Sequence, residues 1–298
     1  KNGTQLNIAA ARPLEMGENY TNNLATRLID KLKPRCLAMT GVCAGNKEKN
    51  VFLGDVIVAE RVFKFDSGKL VADYKLIDHQ QIRTEEIFHD IRTYNLNRQW
   101  EFAIEKVPQD WQNTIQTPRP KSYSHQESWL LNKLYDSQQQ PYKYPPHQHH
   151  PERQTECPDW RKVIKRLKEQ ELLKTGSTGS LELTEKGQKK MNSERLEYLG
   201  EQHYKDPLNP QLHTGVIATT SQVQKDPQLF QRIEKLQQKI LGVEMEGAAI
   251  GAVAEINQIP IIIVKAVQDY ADDDKNDQFR EYAAEVSARF LLAFFATI

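Results

Sequence analysis

The sequence predicts an α/β fold, and three observations carry that expectation. Residues 261 to 267 form a β-branched, continuously apolar run, as in a central strand covered on both faces. Just before it, residues 243 to 256 make a helical stretch rich in Gly and Ala. Strand and helix signals alternate through two flanking segments, 1 to about 78 and 201 to 298, the pattern of helices layered on a sheet.

In chain order, Leu6-Asn7-Ile8-Ala9-Ala10-Ala11 reads as a short apolar strand. Tyr20, Leu24, Leu28 and Leu32 recur every four residues, with Ala25 and Ile29 beside them, as the stripe of an amphipathic helix that Pro34 ends. Cys36 to Met39 reads as a buried strand running into Thr40-Gly41-Val42-Cys43-Ala44-Gly45. A hairpin is predicted from Asp55 to Ala59 and Val62 to Phe65, with Asp66-Ser67-Gly68 as the next turn. After residue 201, Val216-Ile217-Ala218 is a strand. The last twenty residues form a helix whose Phe290, Leu291, Phe294 and Phe295 pack on the sheet.

The segment 79–200 departs from that alternation and reads as an insert. It holds a Gln/Pro/His-rich stretch, 138–150, expected to be an exposed linker, in which His147, His149 and His150 lack the partners that ligand spacing requires. Beyond it come a basic helix from Asp159 to Lys168, a Gly/Ser/Thr turn at 175–180 and Leu181-Glu182-Leu183-Thr184-Glu185-Lys186-Gly187. That order resembles the last helix and wing of a winged-helix module, about 157–192.

Bulk properties limit the function. Forty basic and forty acidic side chains cancel, so no overall field points to nucleic acid or a membrane surface. Apolar residues make up 39% and charged residues 27%, an ordinary balance for a soluble chain, and no run reaches the length that spans a bilayer. Cys36, Cys43 and Cys157 are an odd set without framework spacing, which predicts reduced thiols and a cytoplasmic location. No metal or cofactor site is expected.

The chemistry converges on two carboxylates. Glu246, in Val243-Glu244-Met245-Glu246, stands where a helix begins, and Asp269, in Ala266-Val267-Gln268-Asp269, stands where a strand runs out. Ligands of open α/β sheets bind outside the strand ends, and a carboxylate there is costly to desolvate. Each also has a structural alternative: a capping acid for Glu246, an N-cap for Asp269, core packing for Met245.

Together with Thr40 to Gly45 and Leu53-Gly54-Asp55-Val56-Ile57-Val58, those two motifs resemble the nucleoside phosphorylase superfamily, most closely its methylthioadenosine/S-adenosylhomocysteine nucleosidase branch. The resemblance covers the flanking segments. It implies a three-layer αβα sheet domain interrupted by a mainly helical, winged-helix-like insert, divided as 1–78, 79–200 and 201–298. It also implies cleavage of an N-glycosidic bond to a purine, adenine above all, in an assembly that is at least a dimer. Glu246 is then expected to bond the ribose hydroxyls and Met245 to pack on the sugar. Asp269 is expected to hold the purine and protonate N7, so that the base leaves neutral. Phosphorylases of the family grip phosphate with Arg and Ser in the glycine loop. Met39 and Val42 stand there instead and donate no hydrogen bond, which favours water as nucleophile. Gly41, Val42, Cys43 and Arg12 are the candidate neighbours of the substrate.

The nucleosidases' water-activating glutamate lies ahead of any segment that matches, so Glu15 is the expected substitute. Val223 falls where an aromatic ring stacks on the base in the family, with Phe63 or Phe65 as other sources of a ring. The family also supplies domains to multidomain bacterial proteins, including antiviral defence systems that hydrolyse ATP to adenine. Arg12, Lys47 and Lys49 are the cations a triphosphate would need. The alternatives are a phosphorylase and a catalytically degenerate nucleotide-binding regulator, with the insert as a protein-docking module.

Overall fold

The computed structural model describes residues 6–77, 80–139, 145–177, 179–197 and 207–298. The strands are β1 (Leu37–Gly45), β2 (Val56–Lys64), β3 (Gly68–Ile77), β4 (Gln80–His89), β5 (Thr93–Asn95), β6 (Leu173–Thr175), β7 (Leu181–Leu183), β8 (Leu212–Thr219), β9 (Ile240–Glu244) and β10 (Ile261–Asp269). The helices are α1 (Glu18–Leu32), α2 (Arg98–Ile104), α3 (Tyr123–Gln139), α4 (Pro146–His149), α5 (Arg153–Glu156), α6 (Trp160–Glu169), α7 (Glu185–Glu197), α8 (Leu229–Glu234), α9 (Gly247–Ile256) and α10 (Arg280–Phe295).

The chain forms two compact units, one of residues 1–119 with 209–298 and one of residues 120–208. In the first, six strands run in the order β10-β1-β9-β8-β2-β5, and β10 also pairs with β2. The α/β class is as expected, but the sheet is not open: five of these strands close on themselves. Alternation along β10 then sorts its side chains. Ile262, Val264 and Ala266 join Tyr282, Val286, Phe290 and Phe294 of α10 in one apolar cluster. Ile261, Ile263 and Val267 face the other way, toward Ala25 of α1 and Ile250 and Val253 of α9. Helices thus cover the sheet on both faces.

Several expectations change here. Leu6–Ala11 is not a strand: the segment from Leu6 is exposed and pairs with no strand described. The stripe on α1 is turned: Thr21 and Ala25 are buried, while Tyr20 and Leu32 stay exposed. Small side chains let α1 lie close on the Gly/Ala face of α9. The predicted 55–65 hairpin is one strand, β2, whose register with β8 shifts between Ala59 and Arg61. Polar Glu60-Arg61 imitates a turn there, and the true hairpin is β3–β4, after the turn at Phe65-Asp66. The expected division at 79 and 200 falls instead at about 120 and 208. Residues 93–115 belong to the sheet unit: β5 pairs with β2, and Leu96, Ile104 and Trp111 enter the α10 cluster.

The second unit is built on Trp129, Leu130 and Leu131 of α3, Val163 and Leu167 of α6, Met191 of α7 and the β6–β7 pair. Its α6 buries Val163 and Leu167, exposes Arg161, Lys162, Lys165 and Lys168, as amphipathic solvation requires, and pairs Arg166 with Glu127. The 138–150 stretch is not simply solvated linker. Its residues 140–144 lie outside the described ones, but Pro146 and His147 are buried in α4, and the His147 ring lies 5.6 Å from Trp160. No group of His, Cys, Asp or Glu among the described residues is arranged to hold a metal, and no helix described is long and apolar enough to cross a membrane.

Candidate active site

The site grows from the ends of β8, β9 and β10. On β10, residue 265 points to the same face as Ile261, Ile263 and Val267, so the run is not continuously apolar: it carries a buried lysine. Lys265 is 3% exposed, and its Nζ lies 3.0 Å from Glu244 Oε2 and 3.3 Å from Glu246 Oε2. Burial opposes its charge, but Glu244 and then Glu246 outweigh that, and the ammonium is held above the ordinary lysine value. An added Cβ at Gly41 would sit 3.3 Å from this Nζ, so the glycine on the adjacent strand leaves the lysine its space.

The two glutamates differ in kind. Glu244 is the helix cap. Its carboxylate accepts from the N–H groups of Glu246 (2.9 Å) and Gly247 (2.8 Å) and from the Thr219 hydroxyl (2.6 Å). Burial alone would raise its pKa, but Lys265, Thr219 and the two N–H groups hold it below the usual carboxylate range. Glu246 occupies the N-cap position of α9 yet makes no cap bond. Its Oε2 faces Lys265, and its Oε1 accepts from the Gly17 N–H at 3.0 Å. Gly17 has φ 104°, a conformation that suits glycine. The carboxylate is thereby held at the mouth of the sheet and relieved of capping.

Asp269 is 4% exposed and closes a turn, with Oδ1 accepting from the Ala271 N–H at 2.8 Å and Oδ2 from Gln268 Nε2 at 3.0 Å. Ala44 of β1 pairs with both Asp269 and Val243, which brings the ends of β9 and β10 to one place. The loop after β8 joins them: Asp66 accepts from the Ser221 N–H at 2.7 Å, the Asp226 N–H donates to Ala271 O at 2.7 Å, and Lys275 Nζ bridges Gln224 O (3.1 Å) and Asp269 (3.7 Å).

Other expected residues fall elsewhere. Met245 is half-buried and joins none of the apolar clusters. Val42 packs toward α10. Cys43 is buried in the α9-side core, its thiol pushed up by burial, and its side chain is part of the packing. Val223 is 62% exposed. Arg12 is exposed in the N-terminal segment. Glu15 is exposed and hydrogen-bonds Tyr20 instead of entering the site. Phe63 is core. Sequence reasoning missed Lys265, Thr219 and Gly17. A lone charge inside the run Ile-Ile-Ile-Val-Lys-Ala-Val was the available signal, because buried lysines are paired.

A model of the phosphorylase superfamily matches residues 128–296, more than half of the chain. The chain belongs to the phosphorylase superfamily. Its curated relatives include the 5'-methylthioadenosine/S-adenosylhomocysteine nucleosidase of Bacillus cytotoxicus, 34% identical over 97 residues, 32% of this chain and 42% of that protein. The enzyme of the same name from Bacillus cereus is 33% identical over 102 residues, 33% of this chain and 44% of that protein. The chain thus spans less than half the length of these relatives. The futalosine hydrolase structure of Helicobacter pylori superposes with TM-score 0.50 at 15% identity, covering 95% of this chain and 77% of that one. The methylthioadenosine/S-adenosylhomocysteine nucleosidase of Neisseria meningitidis does so with TM-score 0.50 at 13% identity, covering 95% and 78%. These two likenesses show the fold of this superfamily member.

Proposed function

We propose that the chain hydrolyses the N-glycosidic bond of a purine nucleoside and releases the free base. The observation that carries this reading is the pair of carboxylates at adjoining strand ends: Glu246, freed from capping by Glu244, and Asp269, held in a turn. In it, Glu246 accepts the ribose hydroxyls, Met245 packs on the sugar, and Asp269 delivers a proton to the purine N7. The sugar becomes oxocarbenium-like as the base departs, and oriented hydroxyl contacts strengthen in that state. Water as nucleophile is supported by Met39 and Val42, which stand on β1 and donate no hydrogen bond, and by Lys265, which is neutralised by two glutamates and not presented to an anion.

Adenine is the base of the finer reading, supported by the names of the relatives. For ATP in a defence role the cations do not converge: Lys49 pairs with Glu234, Lys47 lies over the Tyr270 ring and Arg12 is exposed. A nucleoside is therefore the substrate class the site supports. Assembly as at least a dimer accompanies this reading, supported by exposed Leu14, Ile256 and Leu292 and tested by sizing. A cytoplasmic location rests on the three free thiols.

The test is adenine release from methylthioadenosine, adenosine, AMP and ATP, with and without phosphate. Phosphate-independent release from a nucleoside, abolished in Asp269→Asn, is expected. Release of ribose 1-phosphate would make the protein a phosphorylase. No release, with Asp269→Asn binding nucleoside as wild type does, would make it a binding regulator.

A further inference from the structure

A group that delivers a proton is an acid before the step and a carboxylate after it, and a neighbour that serves both states holds it in place throughout. The residue beside Asp269 has that capacity. Cys43 of β1 pairs with Val267 and Ala44 with Asp269, so Gln268 faces no residue of β1 and is the extra residue of a β-bulge. Successive strand side chains ordinarily point to opposite faces. The bulge re-aims this pair, and Gln268 Nε2 donates to Asp269 Oδ2 at 3.0 Å.

The other arm of the amide is idle. Gln268 Oε1 is buried and accepts no hydrogen bond among the described residues. A half turn about the last side-chain bond exchanges the two arms, and no hydrogen bond of Oε1 opposes it. The arm that meets Asp269 is therefore set by the proton on Asp269. A carboxylate only accepts and calls for Nε2–H; a carboxylic acid donates and calls for Oε1. Asp269 Oδ1 already accepts from the Ala271 N–H at 2.8 Å, which leaves Oδ2 for the proton. The other titratable groups that face Asp269 are Cys43 on β1, and Asp272 and Lys275 in the following loop, with Lys275 Nζ 3.7 Å away. A carboxylate or an ammonium becomes the opposite partner only by changing its charge; the amide does so by rotating.

We infer that Gln268 is a positioning residue for Asp269, its amide turning with the Asp269 proton so that both forms of the acid are held; this rests on the nucleosidase reading above. Before the step, Oε1 accepts from the acid at Oδ2. The Oδ2–H bond then breaks as N7–H forms, and the glycosidic electron pair passes to the purine. Water adds its hydroxyl to the anomeric carbon and gives its proton to solvent, from which Asp269 is reprotonated. Between those events Nε2 donates to the carboxylate. Gln268 touches no reacting atom and acts only through Asp269.

The experiment measures adenine release from methylthioadenosine against pH for wild type, Gln268→Met, Gln268→Glu and Asp269→Asn, with adenine binding followed by calorimetry. Met keeps the length of Gln and removes both polar arms; a protonated Glu keeps a donor and an acceptor in the same places. Gln268→Met is expected to lower kcat by about 10- to 100-fold, the worth of a hydrogen bond to a charged group, with KM and adenine binding close to wild type. Gln268→Glu is expected to recover most of that rate. The pH above which its rate falls should move upward, because two carboxyl groups in contact share a proton. If Gln268→Met keeps wild-type kcat while Asp269→Asn is inactive, the amide does not serve the proton and only this inference falls. Equal losses in Gln268→Met and Gln268→Glu with an unmoved pH profile, or loss of adenine binding in both, make Gln268 structural and overturn it too. A wild type that releases no base removes the nucleosidase reading and this inference with it.

Discussion

The two ends of the candidate site are built in opposite ways. At the end proposed for the sugar, Glu246 belongs to a buried ion network of Glu244, Lys265 and Thr219, anchored on β8, β9 and β10 and on the first turn of α9. At the end proposed for the base, Asp269 is held by its own turn and by loops that Lys275 and Asp66 tie together. The first is rigid because three charged groups away from water must satisfy one another. The second is adjustable because its bonds are local and partly exposed. Stability should therefore concentrate at the sugar end, and chemistry without stability at the base end.

Breaking the network tests this most severely. Lys265→Met leaves two glutamates without their cation and is expected to lower unfolding free energy by about 3–5 kcal/mol, read by urea denaturation. Asp269→Asn is the contrasting case. It should cost about 10²–10⁴-fold in rate while the unfolding midpoint stays close to that of wild type.

The pH dependence of stability should carry the same signature. Glu244 is held below its ordinary value of 4.5, so its contribution is present above that pH and is lost as pH falls through the lower, folded value. Lys265 is held above 10.5, so its contribution is complete below that pH and lost as pH rises through the folded value. Thermal unfolding against pH should give a plateau across neutrality. Asp269→Asn should keep the plateau, and Lys265→Met should lose both flanks. A Lys265→Met profile with wild-type flanks would place the stabilising charges elsewhere.

Smaller effects refine the contrast. Glu246→Gln should weaken kcat/KM by about 10- to 100-fold, the worth of charged hydrogen bonds to hydroxyls. Its stability should change far less than that of Lys265→Met, because Glu244 still pairs with the lysine. Lys275→Ala removes one half-exposed tie and should cost under about 1 kcal/mol, with a rise in KM as its main kinetic trace.

Much of the fold was legible because burial leaves a periodic signal. β10, α9 and α10 follow directly from Ile261 to Val267, the Gly/Ala run and Phe290, Leu291 and Phe294. Elements that depend on partners were not. Leu6–Ala11 has strand composition yet pairs with no strand described, and Glu60-Arg61 looks like a turn inside a strand that pairing with β8 and β5 carries through. In the site, Glu246 and Asp269 stand at a helix start and a strand end, as their motifs predicted. Glu15, Val223 and Arg12 did not converge with them, since loop composition says nothing about which way a loop turns.

The sequence by itself determined the alternation of strands and helices, the order of the motifs and the two acids at element ends, because these follow from local pattern. Only the tertiary structure decided which acid caps and which is free. Val-Glu-Met-Glu carries two glutamates of equal chemistry two residues apart, and neither spacing nor propensity separates them. Lys265, on a different strand, takes Glu244 as its close partner, while the Gly17 N–H takes one oxygen of Glu246. That choice depends on sheet closure and register, which bring distant groups within 3 Å or so of each other.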